Sequence, residues 1–90
     1  MIIHDWSIQD VAKGKNIPCL YGYTINEGKR EKVALKISMF IKGRQAKIAV
    51  CGSFFFILEE KNISLEYKAK FPNAYRDIRC EKTTTKVEEN

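Results

Sequence analysis

The sequence predicts a small, mainly β fold of the α+β kind: a strongly bent antiparallel sheet or barrel of about five strands with one short C-terminal helix. Three observations carry that expectation. From Val33 the apolar residues Val33, Leu35, Ile37, Met39 and Ile41 fall on every second position, the period of a half-buried strand, where a helix would need spacings of three and four. Glycines and short polar stretches punctuate the apolar runs at intervals too short for helices. The run Phe54 to Leu58 is continuous and apolar, and only after it does a helical pattern begin, stopped by Pro72.

In chain order, Ile2, Ile3, Trp6 and Ile8 make a first strand from about Ile2 to Ile8, with Trp6 as the core anchor, and Gly14 and Pro18 mark the loop that follows. Cys19 to Ile25 alternates Cys19, Tyr21, Tyr23 and Ile25 against Leu20, Gly22 and Thr24; Gly22 marks a bulge or a close backbone approach. Asn26 to Lys32 is polar, contains Gly28 and reads as a solvated, mobile connection. The Val33–Ile41 strand then turns at Lys42 and Gly43, with Gly43 supplying the positive φ of a two-residue hairpin loop. In that register Met39 faces Ala46, Ile37 faces Ile48 and Leu35 faces Val50, apolar against apolar. After Gly52 and Ser53, the Phe54–Leu58 run suits a strand covered on both faces, or one whose second face is a partner site. Asn62 or Ser64 caps a short helix in which Leu65, Ala69 and Phe71 share a face, and Ala74 to Ile78 adds a turn. One domain over residues 1–80 and a polar tail over 81–90 complete the layout.

Ninety residues with 44% hydrophobic and 30% charged side chains suit a single globular domain with little room for a deep cleft. The net charge of +5 favours acidic partners such as nucleic acid or an acidic protein surface. The excess is local: residues 29–47 carry seven cations against Glu31 alone. Cys19, Cys51 and Cys80 are odd in number and widely spaced, with no CxxC, which suits reduced thiols in the cytoplasm. The longest apolar stretch falls far short of the roughly 20 residues that cross a bilayer, and no membrane partner is expected.

Catalytic and metal patterns are weak. His4 and Asp5 are neighbours on a predicted strand and point to opposite faces, so they make a poor triad with Ser7 or a cysteine. Three cysteines and one histidine could form a zinc site only from four distant places, whereas structural sites use close pairs. Glu59 and Glu60 are adjacent and likewise diverge. Gly43 and Gly52 lack the spacing and the following Lys-Ser or Lys-Thr of a phosphate loop. A non-enzymatic protein without metal or cofactor is the expectation.

The basic hairpin is the strongest functional signal. In the register above, Lys36, Phe40 and Lys47 share the face opposite the core, with Lys42 and Arg44 at the turn. A basic sheet face carrying an aromatic can hold single-stranded nucleic acid by phosphate attraction and base stacking. The plain alternative is that these lysines solubilise an exposed face and Phe40 packs at the hairpin end.

Trp6, the Leu20-Tyr21-Gly22 step, the turn at Gly43, the Gly52-Ser53 step into Phe54 and Phe55, and Glu66-Tyr67 before Phe71-Pro72 form a layout that resembles a group of small β-rich accessory proteins of bacteria and phages. The similarity runs from about His4 to Ala74; such proteins tend to have threonine and serine in the hairpin where this chain has lysine and aliphatics. The resemblance implies a stand-alone protein of a mobile element that occupies a surface of a host protein or nucleoprotein complex, as anti-CRISPR proteins do. No activity comes with the resemblance; the small size, the lack of a catalytic site, the basic hairpin and the Phe54, Phe55, Phe56 run set the expected function, stoichiometric binding that blocks or modulates such a partner, by a monomer or homodimer, with direct binding of single-stranded nucleic acid as the alternative.

Overall fold

The structure is a computed structural model and describes residues 1–10 and 17–83. Its strands are β1 (His4–Asp10), β2 (Pro18–Asn26), β3 (Lys29–Lys36), β4 (Met39–Lys42), β5 (Lys47–Cys51), β6 (Phe54–Leu58) and β7 (Lys82–Thr83). A 3-10 turn at Glu60–Asn62 and two short helices, α1 (Leu65–Lys70) and α2 (Ala74–Asp77), lie between β6 and β7. The mainly β class stands. The strands form two sheets, β1-β2-β3 and β6-β5-β4-β7, rather than one bent sheet or a closed barrel. The loop expected around Gly14 and the end of the polar tail lie outside the described residues.

The two sheets arise because the Val33–Ile41 run is not one strand. The Ile37 N–H donates to the Pro18 carbonyl at 2.9 Å, the last bond of the first sheet, and the Ser38 N–H donates to the Val50 carbonyl at 2.8 Å, the first bond of the second. Two consecutive amides thus serve different sheets. The crossing also changes the phase of the alternation: Val33 and Ile37 point into the core before it, whereas Phe40 packs against the core after it. Apolar residues sit at every second position on both sides, so the sequence shows no break.

The β4–β5 register differs from the expected one for the same reason. Met39 pairs with Val50, Phe40 with Ala49, Ile41 with Ile48 and Lys42 with Lys47. Residues 43–46 form the loop, and Gly43 is not among the positive-φ residues. Its N–H donates to the Ala46 carbonyl at 2.9 Å, and a Cβ at Gly43 would stand 2.8 Å from that oxygen. Space, and not backbone handedness, is what the glycine supplies there.

The stretch expected to be a mobile connection is instead a tight hairpin. Asn26 pairs with Lys29, and the two residues between them, Glu27 (φ 52) and Gly28 (φ 79), are both left-handed, as a type I′ turn demands. A glutamate at positive φ is uncommon, which is why the turn is hard to read from sequence. Lys29 to Lys32 therefore belong to β3.

The core lies between the sheets. Ile3, Trp6, Leu20 and Leu58 are fully enclosed, joined by Ala49, Cys51, Phe56 and Ile63. The Trp6 Nε1–H donates to the Glu59 carbonyl at 3.0 Å, so the buried indole leaves no donor unpaired. Gly22 confirms the expected close approach: a Cβ there would stand 2.8 Å from the His4 carbonyl oxygen and 2.9 Å from Ile3 Cγ1, beside the register shift of β1 between His4 and Ser7. Ser64 caps α1, accepting from the Tyr67 N–H at 3.4 Å. The helix face differs from expectation: Leu65 is 83% exposed and Phe71 is also exposed, while Tyr67 packs on the core.

Candidate nucleic-acid interface

The five residues expected to form one basic surface do not share a face. Lys36 ends β3 on the first sheet, paired with Cys19. Phe40 turns inward, opposite Ala49 and against the core, and is no stacking platform. Lys42 and Arg44 are exposed at the end of β4 and in the following loop. Lys47 is committed to structure. Its Nζ donates to the carbonyls of Tyr75 at 2.6 Å, Arg76 at 3.2 Å and Ile78 at 3.0 Å, and its backbone N–H donates to the Tyr75 hydroxyl at 3.1 Å. An ammonium at the C-terminal end of α2 satisfies carbonyls that the helix itself leaves open.

A different surface gathers cations and aromatic rings: the outer face of β1-β2-β3. Leu20 and Thr24 are buried on the inner side of β2, so Cys19, Tyr21 and Tyr23 stand outward. Their partners on β3 are Lys36 opposite Cys19, Ala34 opposite Tyr21 and Lys32 opposite Tyr23. On β1, His4 lies opposite Tyr23 and Ser7 opposite Tyr21. The outward row of β3 thus reads Arg30, Lys32, Ala34, Lys36, a line of cations with one gap, and the gap faces Tyr21.

The two tyrosines have different surroundings. The Tyr23 ring is stacked on His4 with centroids 5.3 Å apart and planes 25° from parallel, and Arg30 Cζ lies 3.8 Å from its centroid. A cation over an aromatic face at an exposed site contributes about 0.5–1 kcal/mol, enough to hold Arg30 in place without hiding its N–H groups. Tyr21 has only the short side chains of Ser7 and Ala34 beside it across the sheet. A groove of about 540 Å³ is lined by Tyr21, Tyr23, Arg30, Lys32 and Ala34 and also by Asp5, Ser7 and Ser64. A planar ring can lie against Tyr21 there, and a phosphate can reach Arg30 and Lys32.

The sequence reading missed His4, Tyr21, Tyr23, Arg30 and Lys32. The signal that would have found them is the Asn26-Glu27-Gly28-Lys29 turn, because a hairpin closed there sets every β2–β3 pair. Among the described residues, no three His, Cys, Asp or Glu side chains cluster as metal ligands, and the three cysteines stand as free thiols. Burial and the neighbouring Cys19 push the Cys51 thiol up to about 11, and burial raises the Tyr67 hydroxyl. No helix of the described residues is long and apolar enough to cross a membrane.

Fold and surface together define a small two-sheet α+β protein with one basic, aromatic sheet face. Comparison with models of known families, with curated proteins and with solved structures finds no match to this chain.

Proposed function

We propose that this protein is a non-enzymatic binding module that takes single-stranded nucleic acid on the outer face of β1-β2-β3. The reading rests on the gap at Ala34: a half-buried aromatic flanked by short side chains, beside a row of Arg30, Lys32 and Lys36. Bases stack on Tyr21 and on the Arg30–Tyr23 pair, while the three cations follow the phosphate backbone. Such binding tolerates sequence, since every base offers a π face. It suits a cytoplasmic accessory protein acting stoichiometrically on a nucleoprotein complex through the exposed strand of its nucleic acid, the setting that resemblance to small phage and bacterial proteins suggests.

Fluorescence anisotropy with a labelled oligothymidylate tests the reading. Affinity should fall steeply as salt rises, because phosphate contacts release counterions. Tyr21→Ala should weaken binding by about tenfold or more, since one stacked base contributes roughly 1–3 kcal/mol. The double variant Lys32→Glu, Lys36→Glu should weaken it further, whereas Lys42→Glu on the other sheet should change it by less than about threefold. Absence of binding at low salt, or equal affinity of Tyr21→Ala and wild type, would sink the proposal.

A further inference from the structure

Most sheet edges in this fold carry a short piece of chain. Ile63 lies alongside Trp6 on the free side of β1, where the Ser64 N–H donates to the Trp6 carbonyl at 2.8 Å. The N-terminus runs along β6, with the Ile57 N–H donating to the Met1 carbonyl at 2.6 Å and the Ile3 N–H to the Ile57 carbonyl at 3.4 Å. β7 pairs with β4. The edge of β3 carries nothing among the described residues. This strand of eight residues pairs with β2 alone, in a ladder that runs without a bulge from Asn26 and Lys29 to Cys19 and Lys36.

The hydrogen-bond pattern decides which groups of β3 are open. Because the Ile37 N–H donates to the Pro18 carbonyl, those two residues form a hydrogen-bonded pair, and such pairs alternate along an antiparallel ladder. Leu35, Val33, Glu31 and Lys29 therefore turn their amides and carbonyls to β2. Lys36, Ala34, Lys32 and Arg30 turn theirs to the open side, about 6.8 Å from one to the next, and all four residues are exposed. A proline, a bulge or a covering segment would guard such an edge. β3 has none of these among the described residues, and its guard is the charge of Arg30, Lys32 and Lys36.

We infer that the β3 edge is a docking site for an extended, acidic strand of a partner protein, added to the first sheet by main-chain pairing. The occupant follows from the two sets of groups that the edge presents. Alternating N–H and C=O groups at the spacing of a strand match another extended backbone. The cations of the same residues repel a basic strand and attract one with carboxylates at every second position. The row on the other face of β3 includes Val33 and Leu35, the latter 37% exposed, so the intervening positions of the added strand are apolar at that end. A second copy of this chain does not fit, because antiparallel pairing of two β3 edges sets the cations of one copy against those of the other. The inference goes beyond the nucleic-acid reading, since these hydrogen bonds lie in the plane of the sheet and not on its face.

Amide hydrogen exchange of the full chain, followed residue by residue by NMR, tests the inference with an acetylated, amidated peptide of about seven residues in which glutamate and valine alternate. In the free protein the amides of Arg30, Lys32 and Ala34 should exchange fast, and those of Glu31, Val33 and Leu35 slowly. At about nine-tenths occupancy by the peptide the first set should slow by about tenfold, a change that attraction between charges alone does not produce. Two further peptides, N-methylated at the glutamates or at the valines, keep the charge and block one phase of the backbone each. Only one of them should lose affinity, by about tenfold or more, because a strand at an edge turns every second amide to water. Lack of any binding by the unmodified peptide at low salt overturns the inference. Unchanged exchange of Arg30, Lys32 and Ala34 in the bound state overturns it as well, and so do equal affinities of the two methylated peptides. Slow exchange of the same three amides in the free protein would also overturn it, by showing that the edge already holds another strand.

Discussion

The two sheets bury their inner faces in one core, yet their outer faces differ in character, the exposed Ile25 opposite Arg30 being the one isoleucine on the first. That of β1-β2-β3 carries His4, Tyr21, Tyr23, Arg30, Lys32 and Lys36, rings and cations whose polar ends stay in water. That of β6-β5-β4-β7 carries Ile2, Ile41, Ile48, Ile57, Met39, Val50 and Phe55, and its isoleucine row ends in register with Lys82. Both obey the same two-residue period, and both use strong β-forming residues. Period alone therefore decides that a strand forms, while the residues at the alternate positions decide what each face meets. A charged, aromatic face can remain exposed and exchange ligands, whereas an apolar face gains nothing from contact with water.

The most drastic way to break the comparison is to remove the sheet that carries the first face. Gly22→Val places a branched side chain at φ 155, with its Cβ 2.8 Å from the His4 carbonyl oxygen. A loss of about 3 kcal/mol or more is expected from backbone strain and the forced displacement of β1. Thermal unfolding should show it as a drop of at least about 12 °C, at roughly 4–8 °C per kcal/mol for a domain of this size. A midpoint within a few degrees of wild type would mean that β1 can move off Gly22 at little cost.

A pair of lysines sharpens the comparison at lower energy. Lys47→Glu removes three carbonyl contacts and sets a carboxylate at the C-terminal end of α2, so about 2–3 kcal/mol of stability should go, read by denaturant unfolding. Lys36→Glu, exposed on the first sheet, should stay within about 0.5 kcal/mol of wild type. Equal stability of the two variants would show that the Lys47 contacts contribute nothing.

The gentlest perturbation is alkaline pH. The Cys51 thiol is raised from the usual 9.0 to about 11 in the folded protein, by burial first and by Cys19 second. The unfolded chain therefore loses this proton before the native state does, and the native state binds more protons between the two values. This thiol's contribution to stability is whole below pH 9, falls as the pH climbs toward about 11, and is gone above that. Cys51→Ala should flatten that part of the profile, and an unchanged slope would assign the loss to other groups. In the folded protein Cys51 should also be the slowest of the three thiols to alkylate.

Much of the fold was legible because local rules agreed with the outcome. The strand around Tyr21 and Tyr23 and Trp6 as the anchor follow from residue type and spacing, which also narrow Gly22 to a bulge or a close approach and the helix cap to Asn62 or Ser64, the structure choosing the close approach and Ser64. The bend at Ile37 and Ser38 was not legible, since the apolar period runs through it unbroken and only the partners of two neighbouring amides reveal it. That one event displaced the register of β4, turned Phe40 inward and separated Lys36 from Lys47. The expected basic surface dissolved with it. The face that replaced it depended on a left-handed Glu27, a conformation that composition gives little reason to expect.

Trp6 has an optical consequence. It is the only tryptophan in the chain, it is wholly enclosed, and it touches neither outer face. The rings of Tyr67 and Tyr75 each lie 6.3 Å from it, close enough to pass excitation energy to the indole. Its emission should therefore be short in wavelength and respond as one signal to the opening of the core, in which β1, the Glu59 carbonyl and both helices meet. A strand stacking on Tyr21 should quench tyrosine emission and leave the tryptophan band in place. The protein thus carries two spectrally separable reporters, one for occupancy of its surface and one for integrity of its interior, without any label.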